Sequence, residues 1–257
     1  MKGKRIVLLA GKWDTTPIVY NFLTENLSVL KAIIEEPVSR KDFLKKRAKK
    51  LGWRTVVGQV LFSAVIAKPL QQLSKKRIAA IVAGYQLNTK PIPLQKISAV
   101  GSVNDEGTIA QLQQLAPDLV IVHGTRIIAK KVLHALPAAT FINIHAGITP
   151  RYRGSHGAYW ALANHDEANC GVTVHLVDTG IDTGNILAQS KIPLTAKDNF
   201  ATYPYLQLAV GLKLLKTVLE QWQRGVRPAA PNTLNSSLWH HPTIWSYVWK
   251  RFTKGVK

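Results

Sequence analysis

Phe141-Ile-Asn-Ile-His145-Ala-Gly-Ile-Thr-Pro150 is the stretch on which the fold turns. From Ile142 onward apolar and polar side chains alternate, the period of a β-strand, and Gly147 and Pro150 close the run. That period puts Asn143 and His145 on one face near the strand's C-terminal end and turns Ile142 and Ile144 into packing. On the N-terminal side, Pro117-Asp118 turns into Leu119-Val-Ile-Val122, a short buried strand ending at His123-Gly124, and a helix is predicted over 127–136. On the C-terminal side a helix over 157–164 precedes strands over 172–177 and 186–193. The chain start repeats the theme. Ile6-Val-Leu-Leu-Ala10 reads as a parallel strand closed by Gly11, then a helix over 15–26 with Thr15 as N-cap and Pro17 in its first turn, then a strand over 29–34. A strand over 97–103 and a helix from Asn104-Asp105 to 115 fill the middle, while 70–95 carries no clear pattern. Strands alternating with helices predict an α/β fold: a Rossmann-like, twisted, mostly parallel sheet with helices on both faces. Ligands in such sheets bind beyond the carboxyl ends of the strands.

The 257 residues suit one large domain, or one with a small appendage, and a 46% hydrophobic content excludes a disordered chain. A single cysteine, Cys170, excludes a disulfide framework and a multi-cysteine zinc site, which fits a reducing cytoplasm. The unusual quantity is charge. Thirty-four basic against fourteen acidic residues leave +20, which implies an acidic partner: nucleic acid, an anionic membrane or a phosphorylated substrate. Lys2, Lys4 and Arg5 precede the apolar run 6–10, which is too short for a signal-peptide core. The longer apolar run 56–67, interrupted by Gly58, Gln59 and Ser63, reads as a helix that is buried or lies against a surface. Before it, Ser39-Arg-Lys-Asp42 is a capping-box-like start, and 40–54 holds eight basic residues and one acid. That segment is either a solvated helix or a contact for an acidic surface. A long helix is predicted over 200–223, with Pro204 in its first turn and Gly225, Pro228 and Pro231 ending it. The tail 232–257 carries Trp239, Trp245, Tyr247, Trp249 and Phe252 among cations. These readings divide the chain into a main domain, 1–205, and an appendage of long helix and basic aromatic tail, 206–257.

An amide beside an imidazole suits acyl chemistry, since the amide N–H can stabilise a developing oxyanion and the imidazole can move protons at neutral pH. Alone, a buried structural Asn-x-His pair explains Asn143 and His145 as well. Further pieces follow in order: Pro150-Arg-Tyr-Arg-Gly154, then Gly171-Val-Thr-Val-His175, then Ile181-Asp182-Thr-Gly184-Asn-Ile-Leu187. Together with Asn143-Ile-His145 they resemble the folate-dependent formyltransferase family, which includes methionyl-tRNA formyltransferase, glycinamide ribonucleotide transformylase and the sugar N-formyltransferases. The resemblance covers roughly 118–195. It implies a catalytic trio of Asn143, His145 and Asp182, with Asp178 shaping the loop, and 10-formyltetrahydrofolate as formyl donor without a metal. It implies a donor site on Gly124, Thr125, Arg126, Ile127 and Ile128 and on Val177, Gly180, Ile181 and Gly184, though Arg126 also reads as a surface charge. Arg151, Arg153 and His156 either grip an anionic acceptor or order their own loop. His175 reads as a core histidine and Cys170 as structural.

The departures narrow the acceptor. Glycinamide ribonucleotide transformylase has a Gly-x-Gly-Ser-Asn phosphate loop where this sequence reads Ala10-Gly-Lys-Trp-Asp-Thr15. The C-terminal OB-like domain of methionyl-tRNA formyltransferase needs more residues than follow the long helix, and the ACT domain of formyltetrahydrofolate hydrolase has no room before Ile6. A sugar-type enzyme acting on an anionic amine remains the expectation. Methionyl-tRNA or glycinamide ribonucleotide formylation, and a non-catalytic polyanion-binding module on the same fold, are the alternatives. Two segments, 40–67 and 239–257, combine cations with large apolar side chains. They predict either a peripheral contact between a cytoplasmic protein and an anionic membrane, or packing onto the domain or into a homodimer.

Overall fold

The computed structural model describes residues 4–224 and 234–257. The chain runs β1 (Ile6–Gly11), α1 (Thr16–Asn26), β2 (Val29–Glu35), α2 (Arg40–Leu51) and α3 (Trp53–Phe62), which a π-helical turn (Ser63–Ala67) joins to α4 (Lys68–Leu73). Next come α5 (Lys75–Gly84), β3 (Ile97–Val100), α6 (Glu106–Leu115), β4 (Leu119–His123), α7 (Lys130–Ala135) and β5 (Thr140–His145). The rest is β6 (Arg153–Gly154), α8 (Gly157–Ala163), β7 (Gly171–Leu176), β8 (Ile186–Lys191), α9 (Tyr203–Gln223), β9 (Leu238–Trp239) and α10 (Ile244–Lys254).

Seven strands form one sheet in the order β3-β2-β1-β4-β5-β7-β8. The first five are parallel, and β7 runs antiparallel to both of its neighbours, β5 and β8. Apolar runs become central strands because both faces are covered: every side chain from Ile6 to Ala10 is fully buried. On one face Ile142, Ile144, Val172 and Val174 meet Leu208, Leu212 and Leu215 of α9. On the other, Val7, Leu9 and Phe141 meet Ile109 and Leu112 of α6 and Val132 of α7.

The predicted appendage is not separate. The division at 205/206 falls inside α9, whose leucines belong to the main core. Much of the tail closes a second, aromatic core. Trp239 stacks on Trp160 at 4.8 Å between ring centres, and Tyr247 lies 5.0 Å from Phe62. Phe200 N–H donates to the Lys257 carbonyl at 3.0 Å. Gly225, Pro228, Pro231 and Lys2 lie outside the described residues. The helix predicted over 127–136 is confined to α7, because Asn104 clamps the preceding loop: its Nδ2 donates to Ile127 O and its Oδ1 accepts from Ala129 N. Ser39 caps α2 as predicted, its Oγ accepting from Asp42 N at 3.2 Å.

Candidate active site

The trio converges at the C-terminal end of β5. Asn143 and His145 project from the same face of β5, and antiparallel pairing sets His175 of β7 opposite Asn143. Asp182 arrives from the β7–β8 loop. Asp178 shapes that loop by accepting from Gly180 N at 3.0 Å and Thr183 Oγ1 at 2.7 Å. Asp182 itself adopts a left-handed φ of 51°, and its Oδ2 accepts from Gly154 N at 2.9 Å. This aims the carboxylate at the imidazoles: Oδ2 is 3.3 Å from His145 Nδ1, and Oδ1 is 3.7 Å from His175 Nε2.

The hydrogen-bond network assigns the protons. His145 Nε2 lies 2.8 Å from the Tyr152 carbonyl, so it carries a proton and donates it there. Nδ1 faces Asp182. His175 Nδ1 donates to the Leu176 carbonyl at 2.7 Å, which leaves its Nε2 to accept from Asn143 Nδ2 at 3.2 Å. Asn143 therefore holds one amide hydrogen fixed and has another for a ligand. Burial pushes the His145 pKa below the ordinary imidazole value, although Asp182 and the Tyr152 carbonyl pull it upward. Burial alone would raise Asp182. The electrostatic pull of the nearby His145 and His175 rings and the bond from the Gly154 N–H outweigh it and hold the carboxyl at about 2. At neutral pH the pair is an ionised carboxylate beside a ring with a suppressed affinity for protons.

These groups open into a cleft of about 660 Å³. Its walls include Gly124, Thr125, Arg126, Ile127 and Ile128 on one side and Val177, Asp178, Gly180 and Ile181 on the other. Arg126 adjoins the cleft with a guanidinium committed to its own scaffold, at 3.2 Å from Glu35 and donating to the Gly101 carbonyl at 2.7 Å. Gly184 does not line the cleft. A side chain there would strike the Leu176 carbonyl, so this glycine permits close backbone approach within the β7–β8 loop.

The three residues predicted to grip the acceptor do not meet in the cleft. Arg151 pairs with Asp166 at 2.7 Å. Arg153 turns to the trio's loop and donates to the Ile181 carbonyl at 3.0 Å. His156 is buried against Phe200 and bonded to His241 at 2.7 Å, and burial drives its pKa to about 3. Each orders the loop after β5.

In their place the structure brings Phe43 and Lys50 of α2 and Trp239 and His240 of the tail to the cleft. Nothing local in the sequence marks these residues. His175 was open to detection only through its strand register with Asn143. Trp13 plugs the end of β1, where its indole donates to the Gly124 carbonyl at 2.7 Å. Among the described residues no group of three His, Cys, Asp or Glu side chains forms a metal-ligand set.

Comparison with known proteins agrees with this geometry. Residues 44–218 match the family model described as formyl transferase. Methionyl-tRNA formyltransferase of Koribacter versatilis is 37% identical over 128 residues, 50% of this chain and 41% of that protein. The enzyme of that name from Myxococcus xanthus is 28% identical over 170 residues, 66% of this chain and 49% of that one. The chain thus aligns with less than half the length of these curated relatives. A phosphoribosylglycinamide formyltransferase from Streptococcus pneumoniae superposes with TM-score 0.54 at 20% identity, over 86% of this chain and 99% of its own. A sugar N-formyltransferase from a Shewanella species does so with TM-score 0.56 at 16% identity, over 91% of this chain and 76% of its own. At those identities the two structures bear on the fold alone. The family match spans well over half of the chain and takes in Asn143, His145, His175 and Asp182 together, and the chain belongs to the formyl transferase family.

Proposed function

We propose that this protein transfers a formyl group from 10-formyltetrahydrofolate to the primary amine of an anionic amino sugar. The observation that carries the reading is the meeting of an amide donor, an imidazole and an ionised carboxylate at one end of a cleft large enough for a substrate pair. The donor fits the chemistry of the walls. The His123–Arg126 and Val177–Ile181 backbones border the cleft, Gly124 at a φ of 62°, and Ile127 is exposed. Such backbone edges can read the hydrogen-bonding rim of a pterin. When bound, the donor supplies an activated one-carbon acyl group. Asn143 Nδ2 meets the formyl oxygen with its remaining hydrogen and stabilises the charge that develops there. His145 takes up the amine's proton at Nδ1, because its Nε2–H is held on the Tyr152 carbonyl, and gives it to the donor's leaving nitrogen as the bond between that nitrogen and the formyl carbon breaks. Asp182 orients the ring and stabilises the imidazolium so formed.

Support for an anionic sugar comes from the other wall, where Lys50 offers a cation and Phe43 and Trp239 offer aromatic surface. Trp13 fills the end of β1, which weighs against a phosphate cradle there and hence against glycinamide ribonucleotide. The charge of +20 and the curated relatives favour methionyl-tRNA as the second reading. The test is release of tetrahydrofolate on incubating the purified protein with 10-formyltetrahydrofolate and a panel of nucleotide-linked amino sugars, glycinamide ribonucleotide and methionyl-tRNA. Acceptor-dependent release with one amino sugar, abolished in His145→Ala, is the expected result. Release that survives His145→Ala, or that no amine stimulates, overturns the proposal.

A further inference from the structure

The cleft leaves one large feature of the molecule unused. Trp53, Val57, Leu61 and Val65 recur every four residues along α3 and the π-helical turn, and all four are exposed. Of the four buried residues of α3, Val56, Gln59 and Phe62 lie on the opposite side of the helix, and Gly58 is covered by Trp245. α10 repeats the arrangement. Trp245, Val248, Trp249 and Phe252, at helical spacing, face solvent while Tyr247 points into the core. Trp249 is 69% and Phe252 84% exposed. The two helices touch: the Trp245 ring, itself on the α10 stripe, fills the space over Gly58 of α3. Two outward apolar stripes thus lie side by side, with three tryptophans between them.

The segments that carry this face are basic: no acidic residue occurs from 43 to 104, or after Glu220, and the acids that border the face, Asp42 beside Trp53 and Glu167 beside Lys254, come from other elements. Exposed Arg54, Lys68, Arg251 and Lys254 flank the stripes. A folded soluble core would cover such side chains, and the exposed face of one helix would be polar. Pairing with a second copy would bring like charges together around the seam. Nucleic acid would satisfy the cations but leave the valine, leucine and phenylalanine side chains without a partner. An interfacial amphipathic surface, with tryptophan at headgroup depth and cations over anionic lipid, satisfies both.

We propose that the joined outer faces of α3 and α10 dock this protein reversibly on an anionic lipid surface. The proposal is independent of the reaction assigned to the cleft. The experiment is flotation of the purified protein with vesicles of phosphatidylcholine alone and of phosphatidylcholine mixed equally with phosphatidylglycerol, at low and high salt. It includes Trp249→Ala/Phe252→Ala and Arg54→Glu/Lys68→Glu/Lys254→Glu, with circular dichroism to verify folding and sedimentation to give the oligomeric state. The wild type floats with the anionic vesicles at low salt and is released by high salt. The apolar double variant loses roughly tenfold or more in partitioning. The triple charge reversal loses at least roughly fivefold for each residue reversed. Failure of the wild type to float at low salt overturns the proposal. So does flotation indifferent to both variants, flotation abolished by excess transfer RNA in step with a tight RNA complex, or a stable dimer that Trp249→Ala dissociates.

Discussion

Replacing Asp182 with asparagine isolates what its charge does for His145. The amide keeps the volume, and its oxygen can still accept from Gly154 N, but the charge 3.3 Å from Nδ1 is gone. Two unit charges at about 3.3 Å interact by about 5 kcal/mol at an effective dielectric near 20, which bounds the loss. An opposite charge this close moves a titrating partner by about 1–3 units. Burial already holds His145 below the ordinary imidazole value, and Asp182 opposes it. Removing the carboxylate therefore lowers the His145 pKa further. If the neutral ring accepts the amine's proton at Nδ1, the acid limb of the rate profile lies below the ordinary histidine range. In Asp182→Asn that limb moves to still lower pH.

The plateau moves independently of the limb. Without the carboxylate, the imidazolium formed on proton transfer has no counter-charge. We expect kcat to fall by roughly 10²–10⁴, or about 3–5 kcal/mol of barrier. The assay is tetrahydrofolate release against pH for wild type and variant, paired with ¹⁵N NMR titration of the ring, His145→Ala identifying the resonance. A stability control follows from linkage. The folded Asp182 pKa, about 2, is depressed below its ordinary value, so its contribution is present above that ordinary value and vanishes as pH falls toward about 2. The stability gap between wild type and Asp182→Asn should shrink on acidification. A plateau near that of the wild type, or an acid limb that stays put or moves up, refutes this account of the pair.

Four further expectations follow from the same geometry. Asn143→Ala removes the hydrogen proposed to meet the formyl oxygen, so kcat drops roughly 10²–10³-fold with little change in donor KM; single-turnover rates and donor titration separate the two. His123, His156 and His241 are buried with pKa values of about 4, 3 and 4. Their folded values lie below the unfolded one, so stability is full above about pH 6.5 and falls as pH drops toward 4, by up to about 1.4 kcal/mol per unit per group. Denaturant midpoints across that range report the fall, and a flat profile contradicts their burial. Gly184→Val drives a side chain into the Leu176 carbonyl and destabilises the fold by roughly 3 kcal/mol; a well-folded variant whose only defect is donor affinity would return Gly184 to the donor site. Lys50→Ala raises acceptor KM about tenfold and leaves donor KM alone, which initial-rate kinetics with each substrate varied will show.

What could be read ahead of the structure followed the range of the forces involved. Ile6-Val-Leu-Leu-Ala10 and Leu119-Val-Ile-Val122 announce themselves because a strand buried on both faces must be apolar throughout. Asn143 and His145 share a face by the period of the strand alone, and Asp182 stands out between Gly180 and Gly184. Partners distant in sequence stayed hidden. Arg151 and His156 look like a cationic grip until Asp166 and His241, the latter 85 residues away, are seen to hold them. His175 reads as a core residue until the β5–β7 register sets it beside Asn143. Residues 70–95 showed no period because α4 and α5 are barely buried, with Ile81 their one buried side chain. The tail's tryptophans split: Trp239 entered the aromatic core, while Trp245 and Trp249 stayed at the surface.

The two walls of the cleft have different origins in the chain. The proposed reacting groups and donor wall come from 122–182, at the ends of β4, β5 and β7, where the sheet fixes their positions. The opposite wall is added from outside that block. Phe43 and Lys50 ride on α2, and Leu238, Trp239 and His240 come from the tail. The family match runs from 44 to 218, so the whole tail contribution and Phe43 lie beyond it, and Lys50 lies near its start. A mechanism can be shared across a family only if the groups that perform it sit on the shared framework, as the proposed trio of Asn143, His145 and Asp182 does. Selection of an acceptor needs the reverse, surfaces that can change without disturbing those groups. β9 meets this condition: it pairs with β6 at Gly154, whose N–H holds Asp182, and its Trp239, stacked on Trp160, also borders the second wall. The identity of the amine is therefore to be sought in α2 and β9, and the identity of the reaction in the ends of the sheet.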